Sequence, residues 1–170
     1  MAAPRRIAVL GCSGSGKSTL ARAIAARLSL PCVETDTWFW TPDWRAVPTA
    51  SVHARLADAV DAPAWVTDGN FDGARDVLWA QADMIVWLDL PLAVTVWRVA
   101  TRNLAWWATR RPVWGGLRMT LRKALTGIEH TLRTHGQKRR DYPGFLSQYP
   151  TRTVVRLRST RDADQWLTSL

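Results

Sequence analysis

A three-layer α/β domain built on a five-stranded parallel sheet is the fold this sequence predicts, and three observations predict it. Five short apolar runs are separated by stretches of helical spacing, no hairpin signal lies between them, and the first run ends in a glycine-rich loop that opens a helix. Parallel strands buried on both faces read as continuous apolar runs of this kind.

The elements follow in chain order. Ile7 to Leu10 is an apolar run stopped by Gly11, a buried strand feeding a turn. From Ser18 to Leu30 the apolar positions Leu20, Ile24 and Leu28 recur at helical spacing, and Pro31 closes the helix. Cys32 to Thr35 gives a second strand, Thr49 to Val60 a helix with Val52, Leu56 and Val60 on one face, and Ala64 to Thr67 a third strand. Met84 to Leu88 gives a fourth, ending at Asp89. Pro91 opens a helix to about Trp107, residues 112–116 break it, and Leu117, Leu121, Leu125, Ile128 and Leu132 mark the next. Thr153 to Leu157 is the fifth strand, and a short helix follows from about Asp162.

Length and composition set limits. The 170 residues fit one domain, and with 47% hydrophobic and 22% charged residues a disordered, collagen-like or disulfide-scaffold chain is excluded. No apolar stretch of about 18 residues occurs and the N-terminus runs into a charged, glycine-rich segment, so the expectation is a cytoplasmic protein without a membrane span. Cys12 and Cys32, the only two cysteines, read as reduced thiols. Residues 1–89 carry 8 basic and 10 acidic side chains and residues 90–170 carry 15 and 4, so the halves are −2 and +11. The basic half meets an anion, which charge alone leaves open between nucleotide, nucleic acid and acidic lipid. Eleven tryptophans serve core and rim packing in the main, although Trp106, Trp107 and Trp114 bracket Arg110 and Arg111 in a way that suits stacking on bases.

The segment Gly11-Cys12-Ser13-Gly14-Ser15-Gly16-Lys17-Ser18 carries the chemistry. Two glycines five apart, followed by Lys and Ser, let the backbone curl so that amide hydrogens point at a β-phosphate. The helix that opens here adds the partial positive charge of its N-terminus. Lys17 bridges β- and γ-phosphates, the Ser18 hydroxyl ligates Mg²⁺, and Thr19 reaches the α-phosphate. With Gly11, Ser13, Gly14, Ser15 and Gly16 these residues form the expected ATP site. Asp68, at the C-terminal edge of the sheet, is placed to hold Mg²⁺ through water. Asp89 ends a strand just before Pro91 and reads as well as a cap on the following helix.

Around this loop the sequence resembles the adenylate-kinase-like branch of phosphate-loop kinases. Thr67-Asp68-Gly69-Asn70-Phe71 matches the end of their third strand and Trp87-Leu88-Asp89-Leu90-Pro91 that of their fourth. Small bacterial proteins labelled adenylate-kinase-like or DNA topology modulation proteins look most similar. They share a basic stretch like Arg133 to Tyr142 ahead of a last strand like Val154 to Ser159. The resemblance implies strand order 2-3-1-4-5, a helical lid over residues 104–140, and Arg98 and Arg102 facing the nucleotide. Its Phe-Pro-Arg-Thr continuation is replaced here by Asn70 to Arg75, so AMP is not carried over as acceptor, while Arg75 remains placed for an acceptor phosphate or carboxylate. Asp36 sits where related small-molecule kinases, shikimate kinase among them, use an aspartate to engage the acceptor hydroxyl. Trp38, Phe39, Trp40 and Trp44 then form an acceptor wall. The expected protein is an ATP- and Mg²⁺-dependent kinase acting on a hydroxyl or phosphate acceptor such as a nucleoside or nucleotide. The alternative is a nucleic-acid-associated NTPase or DNA topology modulating protein, without a recognisable nucleic-acid-reading module. His53, His130 and His135 lack metal-ligand spacing.

Overall fold

The computed structural model describes residues 4–35, 38–39, 41, 45–70, 75–113 and 116–170, with Asp76 described in its backbone alone. In chain order the elements are β1 (Arg6–Gly11), α1 (Lys17–Leu28), β2 (Cys32–Glu34), α2 (Thr49–Val60), β3 (Trp65–Asp68), α3 (Arg75–Gln81) and β4 (Met84–Leu88). They continue with α4 (Leu92–Thr109), β5 (Pro112–Val113), β6 (Leu117–Arg118), α5 (Leu121–Leu146), β7 (Thr153–Leu157) and α6 (Thr160–Ser169).

The main sheet runs β2-β3-β1-β4-β7, with every neighbour pair parallel. This is the expected order, in which the fifth strand counts as β7 because a two-stranded antiparallel hairpin, β5–β6, intervenes. That hairpin is a correction. Residues 112–116 do break the helix, but Leu117, expected on the next helix, is buried in β6 instead.

Alternation along β1 builds the two cores. Ile7 and Val9 point to a cluster with Leu20, Ile24, Val66 and Val86, covered by α1 and α6. Ala8 and Leu10 point to the opposite cluster, where Val52, Leu56, Trp65, Trp79 and Trp87 pack with Tyr142 and Leu146 of α5. Burying a side chain of this size contributes about 1.5–3 kcal/mol, so the two clusters dominate the stability of the fold. Tyr142 sits between Trp79 and Trp87, at ring centroid distances of 5.8 and 5.6 Å, which fastens the C-terminal end of α5 to the sheet.

The apolar stripe that marks α5 in the sequence is not its buried face. Leu121, Leu125 and Leu132 are exposed, whereas Ala124, Thr131, His135, Tyr142 and Leu146 are buried. The helix also runs on through Gly136 to Leu146, with Pro143 inside its last turn. Among the described residues no helix is long and apolar enough to cross a membrane.

Candidate active site

The loop between β1 and α1 is shaped by glycine. Gly14 has φ +78°, and a side chain there would drive into the Thr95 carbonyl of α4 and come within 2.7 Å of Val99 Cγ2. Gly16, at φ +95°, caps α1 without any side-chain bond, leaving the first amides of the helix for a ligand. Within the loop the Ser15 amide donates to the Cys12 carbonyl at 3.1 Å, and Lys17 Nζ lies 3.4 Å from the same oxygen. Lys17 thus folds back along the concave side of the loop.

Side chains at the end of β3 and just beyond it hold the loop from below. Asn70 Nδ2 donates to the Gly11 carbonyl at 2.8 Å, and Asn70 Oδ1 accepts from the Gly11 amide at 2.9 Å. Asp68 is buried, and its Oδ1 accepts from the Thr35 amide at 3.1 Å. Its Oδ2 is also buried and meets no hydrogen-bond partner among the described residues. A carboxylate oxygen left so is costly unless something polar reaches it. Nearby Cys32 has its thiol pushed up, by burial first and then by Glu34 and Asp68, so it stays protonated and inert.

Two cavities open on either side of the loop. One, of about 360 Å³, is walled by Leu20, Ala23, Leu90, Ala163 and Leu167, with Arg98, Arg102 and Thr160 at its polar edge. The other, of about 730 Å³, takes Lys17, Ser18, Asp68 and Asn70 on the sheet side and Trp106, Lys123, His130 and Lys138 on the helical side. Gly14, Gly16, Thr19 and Arg102 border both. Arg98 donates to the Ser15 carbonyl at 3.3 Å and to Thr160 Oγ1 at 2.9 Å. Arg102 lies over the Trp106 ring, 4.7 Å from its centroid, and donates through Nε to Asn103 Oδ1 at 3.3 Å. Asn103 is buried and in turn donates to the Ala124 carbonyl of α5 at 3.4 Å. Gly127 faces this amide, since a side chain there would come within 2.6 Å of Asn103 Nδ2.

Asp89 does not cap α4, whose first turn has no side-chain cap. Its buried carboxylate instead accepts from Arg156 at 2.6 Å and pairs with Arg139 of α5 at 3.4 Å. An arginine fork offers a buried carboxylate more than a lone backbone amide would, which decides the competition. His135 Nε2 donates to the Leu90 carbonyl at 2.8 Å, so two contacts tie the second half of α5 to the end of β4.

The structure therefore brings Gly11, Ser13, Gly14, Ser15, Gly16, Lys17, Ser18, Thr19, Asp68, Arg98 and Arg102 to one place. Trp38 and Arg75 line neither cavity: Arg55 lies over the Trp38 ring at 4.8 Å, and Arg75 over Phe145 at 3.7 Å. Asp36, Trp40, Trp44 and Trp114 lie outside the described residues. Sequence reasoning missed Asn70, Asn103, Lys123 and His130. The spacing of Lys123, His130 and Lys138, seven and eight residues apart, was the available signal for the helical wall.

The residues present fit a Mg²⁺ ion. Ser18 and Asp68, whose Oδ2 is orphaned, line the same cavity, and no cluster of three acidic, His or Cys side chains exists among the described residues. Such a site suits an ion that keeps water and phosphate ligands and takes one hydroxyl from the protein.

In fold the chain is similar to solved kinases. A shikimate kinase from Acinetobacter baumannii in complex with shikimate superposes with a TM-score of 0.60 at 15% identity, over 97% of this chain and 89% of that one. A gluconokinase from Sinorhizobium meliloti 1021 gives 0.52 at 20% identity, over 98% and 93%. In sequence, the uncharacterized protein YqaC of Bacillus subtilis (strain 168) is 28% identical over 101 residues, 58% of this chain. The match spans 57% of that protein's length. No protein-family model matches the chain.

Proposed function

We propose that this protein is an ATP-dependent small-molecule kinase that transfers the γ-phosphoryl group to a hydroxyl or phosphate acceptor, with nucleosides and nucleotides the first candidates. The observation that carries this is the pair of cavities meeting at one phosphate loop and sharing Arg102. A hydrolase needs one ligand site beside its loop, whereas a transferase needs two. The smaller cavity, apolar with arginines at its edge, suits a nucleoside whose phosphates lead to Gly14 and Gly16. The larger takes the acceptor.

In this reading the loop amides and Lys17 neutralise charge on the β- and γ-phosphates, and Arg98 and Arg102 do so from the α4 side. Mg²⁺, when bound, supplies further charge neutralisation, with Ser18 and, through water, Asp68 holding it. Asp36 orients the acceptor hydroxyl and takes its proton late in transfer. Residues 104–140 act as the lid, and the fastening of α5 at His135 and Arg139 assigns most of the movement to the part before Thr131. Amide exchange that slows on ATP·Mg²⁺ addition in residues 104–130, and not in 135–146, checks this.

The deciding experiment is a screen of nucleosides, nucleoside monophosphates and small hydroxy acids for ADP release above background hydrolysis. An acceptor that raises ADP release and appears phosphorylated supports the kinase. ATP turnover that responds to DNA or RNA and to no small acceptor overturns it in favour of the nucleic-acid reading.

A further inference from the structure

Helix α4 has an outer side that its own fold does not explain. Its 18 residues contain two charges, Arg98 and Arg102, and both face the cavities. Every exposed residue of the helix is an alanine, threonine, leucine, or tryptophan. Trp97 is 69% exposed, and Leu92, Leu104 and Trp107 are exposed with it. A helix without charge on its outer side is ordinarily a buried helix, and a contiguous exposed apolar patch of large side chains marks a contact surface.

We infer that this side of α4 is the contact between two copies of the chain, related by a two-fold axis. The spacing supports a helix as occupant. Val94, Trp97, Thr101, Leu104 and Ala108 recur at alternating steps of three and four, the pattern by which one helix seats against another. Small residues at Thr101 and Ala108 leave room for Trp97 and Leu104 of a second copy.

Charge selects which helix that is. The C-terminal half is +11, and its exposed arginines, such as Arg122, Arg133 and Arg140, sit on α5. In a two-fold contact each patch meets itself, so any charge on it approaches its own like charge. The uncharged stretch in a strongly basic half is what self-association requires. An acidic partner would be met by arginine, and an anionic lipid surface needs cations along the whole length of the apolar stripe, whereas α4 has exposed arginine only at its C-terminal cap, Arg110, and just beyond it, Arg111, and none beside Trp97 or Thr101. This contact would exist whichever reaction the cavities serve.

Sedimentation velocity of the full chain across a concentration series tests it. The wild-type chain should sediment as a dimer, and Trp97→Glu combined with Leu104→Glu as a monomer, with the dissociation constant raised about 100-fold or more, the loss expected for a central tryptophan anchor. Circular dichroism and the thermal midpoint, unchanged in the variant, show that folding is intact. Independently, Thr101→Cys should form a covalent dimer under mild oxidant, because Thr101 lies near the middle of the helix and thus near the axis. The unsubstituted chain, with Cys12 buried and Cys32 partly buried, is its control and should stay uncrosslinked. A monomeric wild type overturns the inference, as does a dimer that survives both substitutions. A monomer that pelts down with phosphatidylglycerol vesicles overturns it too, in favour of lipid.

Discussion

The phosphate loop and the α4–α5 layer face each other across the larger cavity, yet they present positive charge by different means. The loop works through its backbone: positive φ at Gly14 and Gly16, uncapped amides at the start of α1, and an Asn70 clamp on Gly11. The α4–α5 layer works through side chains, with Arg98, Arg102, Lys123, His130 and Lys138 carried on two long helices. A site made of backbone depends on a few glycines and is fixed before any ligand arrives. One made of long side chains depends on how the helices beneath it are fastened.

The largest effect should come from the one side chain the loop cannot replace. Lys17→Ala should lower turnover by about 10²–10³-fold or more, the cost of removing a charge aimed at the transferring group, with the thermal midpoint unchanged because Lys17 borders a cavity and its hydrogen bond is to its own loop. Normal activity in a folded variant would break the comparison at its first term.

Next is the fastening of α5. Asp89→Asn leaves Arg156 and Arg139 without their carboxylate, whose side chain is 3% exposed against 33% and 50% for the arginines. A fully buried pair would lose about 3–5 kcal/mol; with both arginines partly in water, about 2 kcal/mol is expected. Chemical denaturation measures it, and nucleotide affinity should weaken in step if the layer depends on this anchor.

Smaller in stability but specific in kinetics, Arg98→Ala and Arg102→Ala should each reduce turnover about 10–100-fold while moving stability by less than about 1 kcal/mol. Asn103→Ala should reproduce part of the Arg102→Ala defect and add nothing to it in the double variant. Additive effects would show that Asn103 serves α4–α5 packing alone.

The smallest concerns α6, which borders the smaller cavity through Ala163 and Leu167. Ser159 accepts from the Asp162 amide and Asp162 from the Ser159 amide, a reciprocal cap, so Ser159→Ala should cost about 1 kcal/mol. The Asp162 carboxyl is held below the ordinary carboxylate range, first by the Ser159 hydroxyl and then by the Arg158 amide. Its contribution is therefore present above its unfolded pKa and lost as pH falls through the lower folded value. Asp162→Asn should flatten the acid limb of the melting profile, and an unchanged limb would remove the cap from the account.

How far the sequence could be read follows the same division. The sheet strands were legible to within a residue or two, and α2 at its observed ends, because apolar runs between turn residues report burial directly. The phosphate loop was legible because glycine spacing encodes backbone shape. The seven-residue α3 went unread, since Leu78 and Trp79 gain their meaning only by packing on β1 and α5. The hairpin has two residues per strand, too few for any period. On α5 the leucines pointed to the wrong face: Ala124 and His135 are buried, Ala124 where Asn103 of α4 meets its carbonyl and His135 against the Leu90 carbonyl just past β4. Asp89 was misread for the same reason, its partners lying 50 and 67 residues away in the chain.

The clamp at Asn70 has a chemical lifetime. Its carboxamide offers Gly11 one donor and one acceptor, as the peptide group of a neighbouring strand would, so the sheet gains a rung where β3 has already ended. That rung is a primary amide and not a peptide bond. Slow hydrolysis to aspartate exchanges its donor for a second acceptor, setting oxygen against the Gly11 carbonyl while every other contact of the strand survives. Ageing of this protein should thus show first as a loosened loop in a molecule that still melts cooperatively.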